Sequence, residues 1–194
     1  MSNINSKIPI LNIKSAAAFR TWLTKNHDKQ SECYLNVKKG RPIDNKTFYY
    51  LDAVEAALCF GWIDSSQKVI DGIRYQRFSP RRKNSPWTEL NKERVRRLEK
   101  LGLMTDAGRK VLPDMDTRHF KIDVDIVTAL KKAKAWEKFN EFPDLYKRIR
   151  TYNISFYKKS NPGTYKKSLN RLIDQTLLGK MYGEWNDYGR LLDY

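Results

Sequence analysis

Alternation of apolar and polar residues with a period of two occurs in this chain only ahead of a seam at about residues 114–123, and beyond Asp123 the apolar spacing is helical throughout. That change limits the architecture to strands and helices first and helices only afterwards. The pattern predicts an α+β fold: a small antiparallel or mixed sheet with packed helices, followed by a helical C-terminal part. The expected division is an α+β domain over 1–118 and a helical region over 119–194. Met1–Lys14 has no periodicity and is expected to be a loosely ordered arm or a short edge strand around Ile8–Ile13. Ser15 is a natural N-cap for a helix that places Phe19, Trp22 and Leu23 on one face. Cys33, Leu35 and Val37 share one side of a strand, and Tyr50–Phe60 is a helix with Leu51, Val54 and Leu58 buried and Gly61 at its end. Gly61–Ser65 and Ile73–Phe78 are expected as two short strands turning at Asp71-Gly72, with Pro80 stopping the second. Ser85-Pro86 starts a helix over 86–101, and a second begins near Thr105. Asp123–Phe139, Asp144–Lys159 and Pro162–Leu178 are three helices, the last two separated at Asn161-Pro162-Gly163.

Charge restricts the partners. The net charge is +16, and two segments carry all of it. Residues 74–100 hold ten Lys/Arg against three Glu, and residues 131–171 hold twelve against three acids. Two basic blocks on a neutral body suit an anionic partner such as nucleic acid, a phosphorylated ligand or a lipid surface, or are simply well solvated helices. No apolar run is long enough for a signal peptide or a membrane span, so a cytoplasmic setting is expected. Cys33 and Cys59, without a CxxC and with only two histidines in the chain, argue against a zinc site or a disulfide framework; no metal and no cofactor is expected.

Chemistry-bearing residues concentrate between Leu58 and Asn91. Trp62, Asp64, Arg77, Arg81, Arg82, Ser85, Trp87 and Asn91 alternate there with turn formers, the mixture of a polar pocket. The segments Ala57-Leu58-Cys59-Phe60-Gly61-Trp62-Ile63-Asp64, Tyr75-Gln76-Arg77-Phe78-Ser79-Pro80-Arg81-Arg82 and Ser85-Pro86-Trp87-Thr88, with Asn91, Arg94 and Leu98, resemble the bacterial YdeI/OmpD-associated protein family. The resemblance is strongest over 50–105. It weakens after 140, where a family hinge of Lys-Arg-Pro-Glu-Thr is matched here by Lys159-Ser160-Asn161-Pro162-Gly163-Thr164. It implies a role in stress or bacteriocin resistance and brings no reaction, cofactor or catalytic residue set with it.

Several readings of these residues stand side by side. Asn91 falls on the buried stripe with Val95 and Leu98 and must find hydrogen-bond partners. Asp64 is the natural carboxylate for Arg77, an ion pair that needs no ligand. Alternatively, Arg77, Arg81 and Arg82 await a small anionic ligand or acidic partner at the Ser85-Pro86-Trp87 helix N-terminus, with Trp62 and Trp87 as walls. An enzyme centred on Cys59 and Asp64 would need a base that the sequence does not supply, and Asp52 and Glu55 read as the solvated side of a helix; enzymatic activity is left open and catalytic residues are unassigned. Nucleic-acid binding would use Lys92, Arg96, Arg97 and Lys100 on one helix face and Tyr146, Tyr152, Tyr157 and Tyr165 as stacking surfaces.

Overall fold

The computed structural model describes residues 9–192 and 194. The expected N-terminal arm before Pro9, including Ile8, lies outside the described residues. The chain forms two compact units, one made of the residues up to Ser85 plus Val95–Pro113, the other of Pro86–Arg94 plus the chain from Asp114 onward.

In the first unit the α+β expectation holds. Strands β1 (Ile10–Leu11), β2 (Cys33–Leu35), β3 (Trp62–Ile70) and β4 (Ile73–Pro80) form one mixed sheet in the order β1-β2-β4-β3. β1 runs parallel to β2, and the other pairings are antiparallel. Helix α1 (Ala16–Asn26) starts at Ser15, whose hydroxyl accepts a hydrogen bond from the Ala18 amide. It buries Phe19 and Leu23, and Phe19 meets Phe78 of β4 at 5.4 Å. Helix α2 (Tyr50–Leu58) buries Leu51, Val54 and Leu58. Gly61 follows it in the left-handed region, where a Cβ would meet Ala107 O at 3.0 Å.

The β3–β4 hairpin is longer than its apolar alternation indicates. It continues through exposed Ser65–Lys68 because Asp71 and Gly72 both take positive φ, the geometry of a tight two-residue hairpin turn. Ser65 and Ser66 of β3 stand opposite Arg77 alone, so one extra residue makes a bulge between Asp64 and Gln67. Buried Gln76 fills it, donating from Nε2 to Ser65 O at 2.9 Å.

Helix α3 (Glu89–Lys100) begins three residues later than Ser85-Pro86 leads one to expect. Thr88 accounts for the shift: its Oγ1 accepts from the Asn91 amide and its carbonyl from the Lys92 amide, so the capping geometry sits there. Helix α4 (Asp106–Arg109) is a single turn capped by Thr105.

The second unit is helical. The helix expected over Asp123–Phe139 is divided into α5 (Val124–Lys132) and α6 (Trp136–Asn140). α7 (Asp144–Ser160) and α8 (Pro162–Leu177) form a helical hairpin, in which Asn161 caps α8 by accepting from the Thr164 amide. The core is Ile126, Leu130, Phe139, Tyr146, Ile149, Leu172 and Trp185.

The α5–α6 break has a specific backbone cause. Ala135 N–H bonds Leu130 O and Lys134 N–H bonds Lys131 O, the paired closure that requires a left-handed residue between them. The same closure ends α3 at Gly102 and α8 at Gly179, but here the left-handed residue is Lys134 at φ 56°. Burial of Leu130 and Ala135 outweighs the strain that a Cβ brings in that region, about 1 kcal/mol. Lys134 is exposed. Lys134→Gly is therefore expected to stabilise the protein by about 0.5–1 kcal/mol in urea denaturation. A destabilised variant would contradict this account of the break.

Candidate functional site

The sequence-predicted residues are divided by the two units. Trp62, Asp64, Arg77, Arg81, Arg82 and Ser85 belong to the first, Trp87 and Asn91 to the second. Trp62 is buried, with its indole N–H on His27 O at 3.0 Å and its ring edge-on to Trp22. The expected Asp64–Arg77 pair does not form. Asp64 lies opposite Phe78 in the β3–β4 register, so Arg77, one residue before, projects to the other face of the sheet. Asp64 instead accepts from the Tyr50 hydroxyl at 2.6 Å, and Arg77 pairs with Glu32 and reaches Ser65 Oγ. Arg81 is buried, with Nη1 on Ser85 Oγ at 3.4 Å, whereas Arg82 is exposed. The Ser85-Pro86-Trp87 stretch precedes α3 and does not form its first turn, which opens on the buried carboxylate of Glu89.

Asn91 is buried as its stripe position predicts, and its Oδ1 accepts from Arg94 Nη1 at 2.8 Å. The same helix hides more charge than its sequence indicates. Glu93 and Arg94 are buried, Arg97 pairs with Glu55 at 2.8 Å, and Lys92 pairs with Glu89. Lys92 and Arg97, expected to face phosphates, are thus engaged by carboxylates, and Glu55 is one of those partners and not a solvated residue.

Cys59 is buried, and desolvation pushes its thiol above the ordinary value against a smaller opposite pull from Arg20. An activated nucleophile needs a shift in the other direction. Cys33 is pushed up to about 12 by burial. His27 bonds Leu23 O and His119 bonds Asp114, so no histidine serves Cys59 among the described residues.

A different arrangement lies within the second unit. A cleft of about 520 Å³ runs between α7 and α8, walled by Tyr152, Asn153, Phe156 and Tyr157 on one side and Ser168 and Arg171 on the other. Arg150 and Tyr182 also line it. The Arg150 guanidinium is pinned: its Cζ stands 4.4 Å from the Tyr182 ring centre and 5.6 Å from that of Tyr146, and Nη2 donates to Tyr182 O. Gly183 permits this approach, since a Cβ there would come within 2.8 Å of Arg150 Nη2. Arg171 stacks on the same Tyr182 ring at 4.6 Å. Among the described residues Arg171 makes no hydrogen bond or ion pair. No carboxylate among the described residues lines the cleft. Burial raises the Tyr182 phenol above its ordinary value, so it is neutral between the two cations.

Buried charge holds this region in place. Arg94 grips Asp187 through two hydrogen bonds, Nε–Oδ2 at 2.6 Å and Nη2–Oδ1 at 2.7 Å. Arg148 of α7 reaches Glu93 at 2.7 Å. Tyr146 is core, 5.5 Å from Trp185, and does not serve as a stacking surface. Arg150, Arg171 and Tyr182 were not singled out by the sequence; the signal for the arginines is the absence of any Asp or Glu between residues 145 and 173, a stretch that holds eight Lys/Arg.

A family model described as a domain of unknown function (DUF8412) matches residues 11–111, more than half of the chain. The chain belongs to the DUF8412 family. No curated protein and no solved structure matches it. The DUF8412 span takes in the sheet apart from Ile10, α1 to α4 and all eight sequence-predicted residues, and of the cleft residues it includes only Thr88. No helix among the described residues is long and apolar enough to cross a membrane.

The Arg94–Asp187 pair generates a stability prediction. Arg94→Met leaves a buried carboxylate unpaired and is expected to cost about 3–5 kcal/mol in chemical denaturation. Arg94→Met combined with Asp187→Asn is expected to recover a large part of that loss, because the amide carries no charge and tolerates the positive φ of residue 187. A double variant no better than the single one would contradict the pairing.

Proposed function

We propose that this protein is a binding protein whose site is the α7–α8 cleft and whose ligand carries a phosphate or carboxylate group. The observation that carries the proposal is the charge of the lining: two guanidinium groups stacked on one tyrosine, neither with an ion-pair partner among the described residues, and no carboxylate among the described residues that line the cleft. Arginines held against an aromatic face keep their N–H edges available, and fixing them in advance reduces the entropy that an anion must overcome on binding. Asn153 and Ser168 supply neutral hydrogen-bonding groups beside them. A cleft with few convergent polar groups among aromatic walls has the composition of a ligand site.

The stress or bacteriocin-resistance setting implied by the YdeI/OmpD-associated resemblance is part of the proposal, as is a cytoplasmic location, which suits two free, buried cysteines. The ligand site moves from the Arg77–Asn91 segment to α7–α8 because Arg77 is engaged by Glu32, whereas no carboxylate among the described residues engages Arg171.

Calorimetric titration with pyrophosphate, uridine monophosphate and citrate tests the reading. At least one is expected to bind wild type, and Arg171→Ala is expected to weaken it about 10- to 100-fold, the range for a charge-assisted hydrogen bond. Arg171 is exposed, so this variant should keep its denaturation midpoint. Gly183→Ala, which leaves both charges in place but crowds Arg150 and strains the backbone at φ 69°, should weaken the same ligand. Unchanged affinity in both variants would overturn the cleft as the site.

A further inference from the structure

We infer that the ligand of this cleft is single-stranded nucleic acid, laid along the α7–α8 hairpin with its phosphates on the arginines and lysines and its bases on Phe156 and Tyr157. The inference rests on the anion-binding reading of the same cleft and adds the class of ligand.

Three observations carry it. First, the cations extend past the cleft. Arg150 and Arg171 mark one end, and Lys159, Lys166 and Lys167 lie around the turn of the hairpin at the other, all three exposed. None of these three lysines has an ion pair among the described residues. From Arg150 to Lys159 is nine residues, or about 13 Å of helix axis. A single phosphate cannot span that distance, but a chain of phosphates can.

Second, the acids are selectively absent. Elsewhere on the same hairpin the cations are neutralised: Lys147 by Asp144, Arg148 by Glu93, and Lys158 by Asp123 and Asp125. Within this hairpin the cations without an ion pair among the described residues are therefore Arg150, Lys159, Lys166, Lys167 and Arg171, gathered around the cleft and the turn. Cations of this kind release the counterions condensed on a nucleic-acid strand when they neutralise its phosphates, and the affinity so gained falls steeply with salt.

Third, the wall between the two cationic ends is aromatic and open. Phe156 is 53% exposed and Tyr157 40% exposed, an unusual state for two adjacent large rings. Their planes stand at 89° with centroids 5.3 Å apart. Bases stack on such faces in a sequence-tolerant way. The Tyr182 ring is already occupied by the two guanidinium groups, so stacking falls to Phe156 and Tyr157.

Fluorescence anisotropy with a labelled ten-nucleotide thymidine strand tests this, in competition with thymidine monophosphate, inorganic polyphosphate and a duplex of the same length. The strand is expected to bind at least ten times more tightly than the mononucleotide. Phe156→Ala is expected to weaken the strand about 5- to 100-fold, the range for loss of one stacked base, and to leave polyphosphate binding unchanged. Arg171→Ala should weaken both. Equal affinity for polyphosphate and strand, equal affinity for duplex and strand, or a strand unaffected by Phe156→Ala would overturn the inference. If the mononucleotide binds in an Arg171-dependent way and the strand no better, this inference fails and the anion-binding reading stands. If nothing binds, both fail.

Discussion

Asp187 is a buried carboxylate on a non-helical stretch near the C-terminus, and two hydrogen bonds from Arg94 keep it there. A buried charge must be paired, and a pair of this kind is very sensitive to the loss of either member. The requirement fixes the segment that also carries Tyr182, Gly183 and Trp185. Trp185 enters the helical core, Tyr182 offers its ring to two arginines, and Gly183 leaves room for the nearer one. The geometry of the cleft thus follows from an ion pair that has no part in binding.

The distribution of paired and unpaired cations distinguishes structural from available charge. Arg77, Arg94, Arg97 and Arg148 each meet a carboxylate at 2.8 Å or less. Such arginines contribute to the net charge without contributing an anion site. Arg171 and the lysines at the hairpin turn are the complementary group. A net charge of +16 therefore overstates what a partner meets, and on α7–α8 exposed cations stand beside a cleft and open aromatic rings.

The sequence made the α+β body legible wherever a local rule operates: Ser15 as a cap, Asp71-Gly72 as a hairpin turn, Asn161-Pro162 as a helix break. It was less informative where a residue acts against its type. Lys134 takes a left-handed conformation that would have been read from a glycine, and Thr88, rather than Ser85, caps α3. The candidate site was legible only in part. Tyr152 and Tyr157 stood out as aromatics among basic residues, and both line the cleft. Tyr146, of the same apparent kind, is core. The decisive partnerships, Arg94 with Asp187 and Arg150 with Tyr182, join positions 93 and 32 residues apart, and no local pattern encodes them. Asp64 and Arg77 looked like partners because both are charged and near in sequence, but the pleat sends them to opposite faces.

The central claim is that accessible cationic chemistry resides on α7–α8. Arginine side-chain NMR tests it most directly, by following the Nε–Hε resonances as pyrophosphate and then a thymidine oligonucleotide are added to the full chain. The account predicts saturable shifts at Arg150 and Arg171, with Arg77 and Arg81 unmoved. Shifts confined to Arg77, Arg81 and Arg82 would contradict it and return the site to the segment between Trp62 and Asn91.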